Sequence, residues 1–228
     1  RRQRQMCIRD RDIIYKQVST ITETLIETGL CIAQNFPVNN KGKDEGLVSF
    51  NGSNKISISL KNLPYSSIYD ELLKEKCYNL CLIDGALIQM QYRFVKKALV
   101  AHRLAYFPSP YLESYKTAQE TYTKDFIYGD VVKDSIVPFS IRFDYSDDDV
   151  DFKEHFHSKT HLTLGEFKQC RIPVSSPLSP CAFISIILKH FYVEDRIPLI
   201  NKNIYCAQKL PLNKTITVNE EQYSYFKI

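Results

Sequence analysis

The stretch from Asn79 to Phe107 constrains the fold more than any other part of the chain. NLCLIDGALIQMQYRF (79–94) holds an Asp84-Gly85 pair between two apolar runs. Such a pair favours a tight chain reversal, because Gly takes positive φ without steric cost. KALVAHRLAYF (97–107) adds another apolar, β-branched and aromatic run, closed by Pro108-Ser109-Pro110. Consecutive strands joined by short reversals predict an antiparallel sheet.

The rest of the chain supplies helices to cover that sheet. Ile14, Val18, Ile21 and Leu25 recur at helical spacing, predicting an amphipathic helix over 12–28 that Gly29 ends. Asn39–Gly46 reads as a polar loop and KISISL (55–60) as a strand. Ser67 with Asp70 three residues on has the spacing of a capping box, predicting a helix to about Lys76. YLESYKTAQETYTKDF (111–126) is read as helix, and VPFSIRFDYS (137–146) as a strand with Phe139, Ile141 and Phe143 on one face and Ser140, Arg142 and Asp144 on the other. DDDVD (147–151) is an acidic loop with no Gly where an EF-hand turn needs one. HFHSKTHLTLG and FKQCRIPV read as extended segments. Ser179-Pro180 starts a helix whose buried face carries Phe183, Ile184, Ile187, Leu188 and Phe191. The last thirty or so residues read as loop with one or two β segments. The expected class is α+β: a mostly antiparallel sheet with helices packed on one face.

The N-terminal RRQRQMCIRDR changes the charge argument. MCIRDR is the translation of ATG TGT ATA AGA GAC AG, a transposase-end sequencing adapter, so residues 1–11 are expected to be a non-native adapter-derived tail and 12–228 a single α+β domain. The chain carries 30 Lys+Arg against 26 Asp+Glu. The first eleven residues hold five Arg and one Asp, so the remainder has 25 of each sign and no net charge. Global charge therefore gives no argument for nucleic-acid binding. No apolar run approaches the roughly 20 residues a bilayer span needs, so no membrane partner is expected. Beyond the tail, Cys31, Cys77, Cys81, Cys170, Cys181 and Cys206 form no C-x-x-C pair and are read as reduced, mostly buried thiols of a cytoplasmic protein.

Chemistry concentrates in 142–171. Strand alternation would put His155, His157, His161 and Thr163 on one face and Phe156, Leu162 and Leu164 on the other. Arg142 and Asp144 precede this segment and Arg171 follows it. Three readings stand open. His157 and His161 act as base and acid in RNA cleavage without metal or cofactor, with Arg142 and Arg171 on the phosphate and Asp144 beside them. The imidazoles and Asp144 hold zinc, although H-x-H-x-x-x-H is not an established zinc spacing. Or the imidazoles only brace a turn, in a non-enzymatic module that docks a partner through a surface rich in the chain's 15 Tyr. A second stretch, Ala86–Leu112, lacks acidic residues. There Arg93, Lys96, Lys97, His102 and Arg103 interleave with Tyr92, Phe94, Tyr106 and Phe107. That pattern suits RNA or another single-stranded nucleic acid, and equally the solvated face of a hairpin.

LIDGALIQMQYRF, HRLAYFPSPYLE, the YGD before VPFSIRFDY, and HSKTHLTLGEFKQCRIPVSSPLSPCAFISIILKHFY together resemble the bacterial domain-of-unknown-function family 2290, over about Ile13 to Tyr192. His157, His161, Gly165, Cys170, Arg171 and Pro173 fall on its longest motif, and Arg142 and Asp144 on its RFD element; His155 does not. The family name implies no activity. A shorter pattern, an R-x-D strand before a His-rich turn, is similar to TumE-type toxins, though Tyr145 follows Asp144 where those have Asn. This similarity implies an RNase-like toxin paired with an antitoxin; a phage-defence setting with a defence-operon protein as partner is the other expectation for the nuclease reading.

Overall fold

A computed structural model describes residues 2–42, 44–53, 63–96, 98–111, 139–165, 170–192, 210 and 212–228, with side chains from residue 10 onward. The predicted strand at 55–60, the predicted helix at 111–126 beyond its first residue, Tyr111, and Lys97 lie outside them, as does Cys206.

The expected antiparallel sheet is present, with nine strands among the described residues. They are β1 (Cys31–Gln34), β2 (Pro37–Lys41), β3 (Glu45–Phe50), β4 (Leu80–Leu82), β5 (Leu87–Val95), β6 (Ala98–Phe107), β7 (Ile141–Ser146), β8 (Thr160–Leu164) and β9 (Arg171–Pro173). The main path runs β1-β4-β5-β6-β7-β8-β9, and a β2-β3 hairpin joins the far end of β5. Asp84-Gly85 makes the reversal between β4 and β5: Gly85 has φ +79°, and a Cβ there would lie 3.1 Å from the Ser109 Cβ. Asp84 Oδ1 caps the turn by accepting from the Ala86 amide at 3.1 Å.

Period-2 alternation divides the sheet into two unlike faces. Even-numbered β5 and β6 residues (Ile88, Met90, Tyr92, Phe94, Leu104, Tyr106) join Ile141, Phe143, Leu162 and Val174 in the main core. Helices α1 (Arg2–Glu27) and α3 (Pro180–Phe191) cover this face. Ile14, Val18, Ile21 and Leu25 are all buried as the spacing predicts, and Gly29 ends the helix at φ +72°. The helix is longer than expected, starting at Arg2 rather than near residue 12. Ser179 caps α3 by accepting from the Ala182 amide, with Pro180 at its first turn. On the opposite face, α2 (Tyr65–Lys74) packs Ile68, Tyr69 and Leu72 on Leu87, Ala105, Phe107 and Cys81. The rest of that face is polar.

Several local expectations differ from the structure. Asn39–Gly46 is a hairpin, not a loop: Asn39 pairs with Val48 and Lys41 with Gly46. Its polar composition belongs to an edge strand, whose outer side faces water. Helix α2 starts at Tyr65 without a side-chain cap, because the Ile68 amide bonds the Pro64 carbonyl; Ser67 is already inside. Residues 153–157 form a tight turn rather than a strand, with the His157 amide bonded to the Lys153 carbonyl at 2.7 Å. The thiol expectation also needs correcting. Cys31, Cys77, Cys81 and Cys170 are free, but Cys181 is disulfide-bonded. Pairing depends on spatial approach of Cα atoms, which sequence spacing does not reveal. Among the described residues no helix is long and apolar enough to cross a membrane.

Candidate functional site

The polar face is built from cross-strand rows. In one row the register sets Gln91 beside Arg103, Arg103 beside Asp144, Asp144 beside His161, and His161 beside Pro173. The next row runs Gln89, Ala105, Arg142, Thr163, Arg171. Paired residues on adjacent strands share a face. Four sequence-predicted residues (Arg142, Asp144, His161, Arg171) are therefore side by side, and Arg103 joins them.

Asp144 is the electrostatic centre. Arg103 Nε donates to Asp144 Oδ1 at 2.9 Å, and Arg142 Nε lies 3.9 Å from Oδ2. Burial alone would raise the Asp144 carboxyl; Arg103 and Arg142 outweigh it and hold the group below 3.8. His161 is 7% exposed, and its Nδ1 lies 2.9 Å from the Ser158 carbonyl oxygen. A carbonyl only accepts, so Nδ1 carries the proton and Nε2 holds the lone pair. Burial lowers the His161 pKa; Asp144 and the Ser158 carbonyl oppose this, while His157 and Arg171 reinforce it. His161 is thus a neutral ring of fixed tautomer at neutral pH.

His157 reaches His161 by a route that strand alternation did not foresee. The 153–157 turn folds back so that the two rings lie 4.8 Å apart at 63°. The same turn undoes the rest of the face assignment. Phe156 does not back the strand but stands 77% exposed, and His155, at φ +66°, lays its ring on Tyr223 at 4.6 Å. The zinc reading needed those three imidazoles together; among the described residues no three metal-ligating side chains converge.

A clasp from the C-terminal segment holds the turn. Glu220 is fully buried; its Oε1 accepts from the Ser158 hydroxyl and from the His155 amide at 3.4 Å. Its Oε2 accepts from the Thr217 amide at 3.0 Å, while Thr217 Oγ1 accepts from the Glu220 amide at 3.1 Å. This is a reciprocal capping box. Glu154 adds bonds from Thr217 Oγ1 at 2.5 Å and Asn219 Nδ2 at 3.2 Å. The T-x-x-E in Thr217–Glu220 was the signal available in the sequence.

The second predicted set is dispersed. Arg93 is exposed on the polar face, Lys96 is exposed at the β5-β6 turn, and Arg103 is committed to Asp144. His102 needs correcting as a nucleic-acid contact. It is 4% exposed on the opposite, helix-covered face, between Tyr92 and Tyr145, and its Nε2 accepts from the Leu178 amide at 3.0 Å. Burial drives its pKa down to about 4, so it is a neutral core residue. The reason is alternation: 102 and 103 point to opposite faces.

The family described as "Uncharacterized conserved protein (DUF2290)" matches residues 30–228. The chain belongs to this family. The match takes in every residue of the site, including the Glu220 clasp, and leaves out α1. No curated protein and no solved structure shows a significant match.

Proposed function

We propose that the DUF2290 chain is a metal-independent RNA-cleaving enzyme of toxin or phage-defence type. The observation that carries this reading is the His157–His161 ring pair, 4.8 Å apart, beside a face that holds Arg103 and Arg142 on the Asp144 carboxylate and Arg171 next to Thr163. The His161 Nε2 lone pair takes the proton of a ribose 2′-hydroxyl, whose oxygen attacks the neighbouring phosphorus. His157 gives a proton to the departing 5′-oxygen as the P–O5′ bond breaks. The products are a 2′,3′-cyclic phosphate and a 5′-hydroxyl. Arg142 and Arg171 hold the phosphate backbone of the RNA beside the imidazole pair and offset its negative charge. A general acid or base contributes about 10²–10⁴-fold.

The test is cleavage of single-stranded RNA by the purified chain with chelator present. His157→Ala and His161→Ala should each lower the rate about 10²-fold or more while circular dichroism still shows the fold. The reading fails if wild type yields no cyclic phosphate, or if the folded variants cleave as well as wild type.

A second reading, a non-enzymatic interaction module, is supported by a different observation. Phe156, Val150, Val218 and Tyr223 are exposed apolar side chains on the His turn, the acidic loop and the segment clasping the turn. Asp147, Asp148, Asp149 and Asp151 are exposed beside them. This surface suits a partner protein with basic and apolar side chains, such as an antitoxin or defence-operon protein. Co-purification of a stoichiometric partner, lost in Phe156→Asp, with no turnover of any nucleic acid, would favour it.

A further inference from the structure

The row beside the imidazole pair has an unusual accounting of hydrogen bonds. Arg142 is 11% exposed, and its Nε and Nη1 have no hydrogen-bond partner among the described residues. Thr163, next to it on β8 and 4% exposed, has a buried hydroxyl in the same condition. Arg171 follows on β9. A guanidinium taken out of water with unsatisfied N–H groups is strongly disfavoured, and buried polar atoms in folded proteins are normally paired. The nearest carboxylate does not resolve this: Asp144 is bonded to Arg103, and Arg142 Nε stands 3.9 Å from it.

We propose that Arg142, Thr163 and Arg171 form an oxyanion-binding subsite for a tetrahedral phosphate group, with Thr163 a binding residue alongside the two arginines. The donors suit the ligand. Arginine N–H groups match two oxygens of one phosphate, and the hydroxyl supplies a third, uncharged donor from the strand between them. A carboxylate could use the guanidinium groups but offers no third oxygen to the hydroxyl. Across Ala105 on the same row, Gln89 Oε1 is also buried without a partner; it is an acceptor, suited to a hydroxyl of the same ligand.

The subsite deepens the RNA reading and rests on it only for the source of the phosphate. Thr163 and His161 are two residues apart on β8, about 6.6 Å along a strand. That is comparable to the step between successive phosphates of an extended single strand. The row therefore takes the phosphate next to the one being cleaved, and an oligonucleotide carrying that extra phosphate is the preferred substrate class.

The experiment titrates inorganic phosphate into the full chain, followed by calorimetry and by the thermal midpoint. Wild type should bind saturably. Thr163→Val should weaken binding about tenfold or more, the worth of one bond to a charged group, while leaving the phosphate-free midpoint unchanged or higher, because it removes an unpaired buried hydroxyl. A purely structural Thr163 would instead lower that midpoint. Arg142→Gln, if folded, should abolish binding. Absence of saturable binding by wild type, or wild-type affinity in Thr163→Val, overturns the subsite. Phosphate bound by a chain that cleaves no RNA sustains the subsite and removes the nuclease reading. RNA cleaved without phosphate binding does the reverse.

Discussion

Replacing Asp144 by Asn tests the electrostatic centre of the polar face. The carboxylate accepts from Arg103 Nε at 2.9 Å and lies 3.9 Å from Arg142 Nε, with side chains 17%, 26% and 11% exposed. Asn keeps the shape and one acceptor but removes the charge, leaving two largely buried guanidinium groups without their counter-charge. Breaking one side of a largely buried pair costs several kcal/mol, and the retained amide oxygen recovers part of it, so a loss of about 2–4 kcal/mol is expected. For a chain of this size that lowers the midpoint by about 5–15 °C. The pH dependence fixes the cause. The folded Asp144 carboxyl is held below 3.8, so as acid is added the unfolded chain takes up this proton first. The stabilisation is complete above pH 3.8 and disappears as pH falls through the folded value. Denaturant unfolding of both proteins should show a constant gap from pH 7 to about 5 that closes at lower pH. A gap as wide at pH 3 as at pH 7 would mean the loss is packing, not charge, and would refute this account.

Other perturbations follow from the same contacts. Histidine 102 titrates near 4 when folded and near 6.5 when unfolded, so the unfolded chain binds more protons in that interval. Wild-type stability should fall from about pH 6.5 down to about pH 4, by about 3 kcal/mol in all, and His102→Phe should flatten that slope while costing about 1–3 kcal/mol at pH 7 for the unpaired Leu178 amide. Glu220→Ala removes acceptors for Ser158, His155 and Thr217 and should cost about 2–4 kcal/mol; amide exchange should rise in 153–158 before it rises in β7. Because burial lowers His161, cleavage should persist as pH drops past 6.5 and decline only through the lower folded value, as a pH–rate profile will read.

What the sequence revealed depended on the range of the interaction. Asp84-Gly85, the α1 stripe and Ser179-Pro180 were legible because each is a local rule fulfilled within a few residues. Alternation in β7 was legible too, and it set Arg142 and Asp144 on one face. Alternation misled once the chain left extended geometry: His155 and Phe156 lie in a turn fixed by Glu154 and Glu220, whose partners are more than 60 residues away. Arg103 was assigned to a separate basic stretch, because only the β6-β7 register places it against Asp144. His102 looked basic in the sequence and is buried and neutral, since its neighbours Tyr92, Tyr145 and Leu178 come from other elements.

The Glu220 clasp has a consequence for the order of synthesis. Ser158 and its acceptor are separated by 62 positions, so the turn carrying His157 emerges long before the carboxylate that steadies it. A growing chain displays both imidazoles without the brace that holds their spacing. On the RNA-cleaving reading proposed above, the pair reaches its working spacing only once the segment carrying Glu220 has been made.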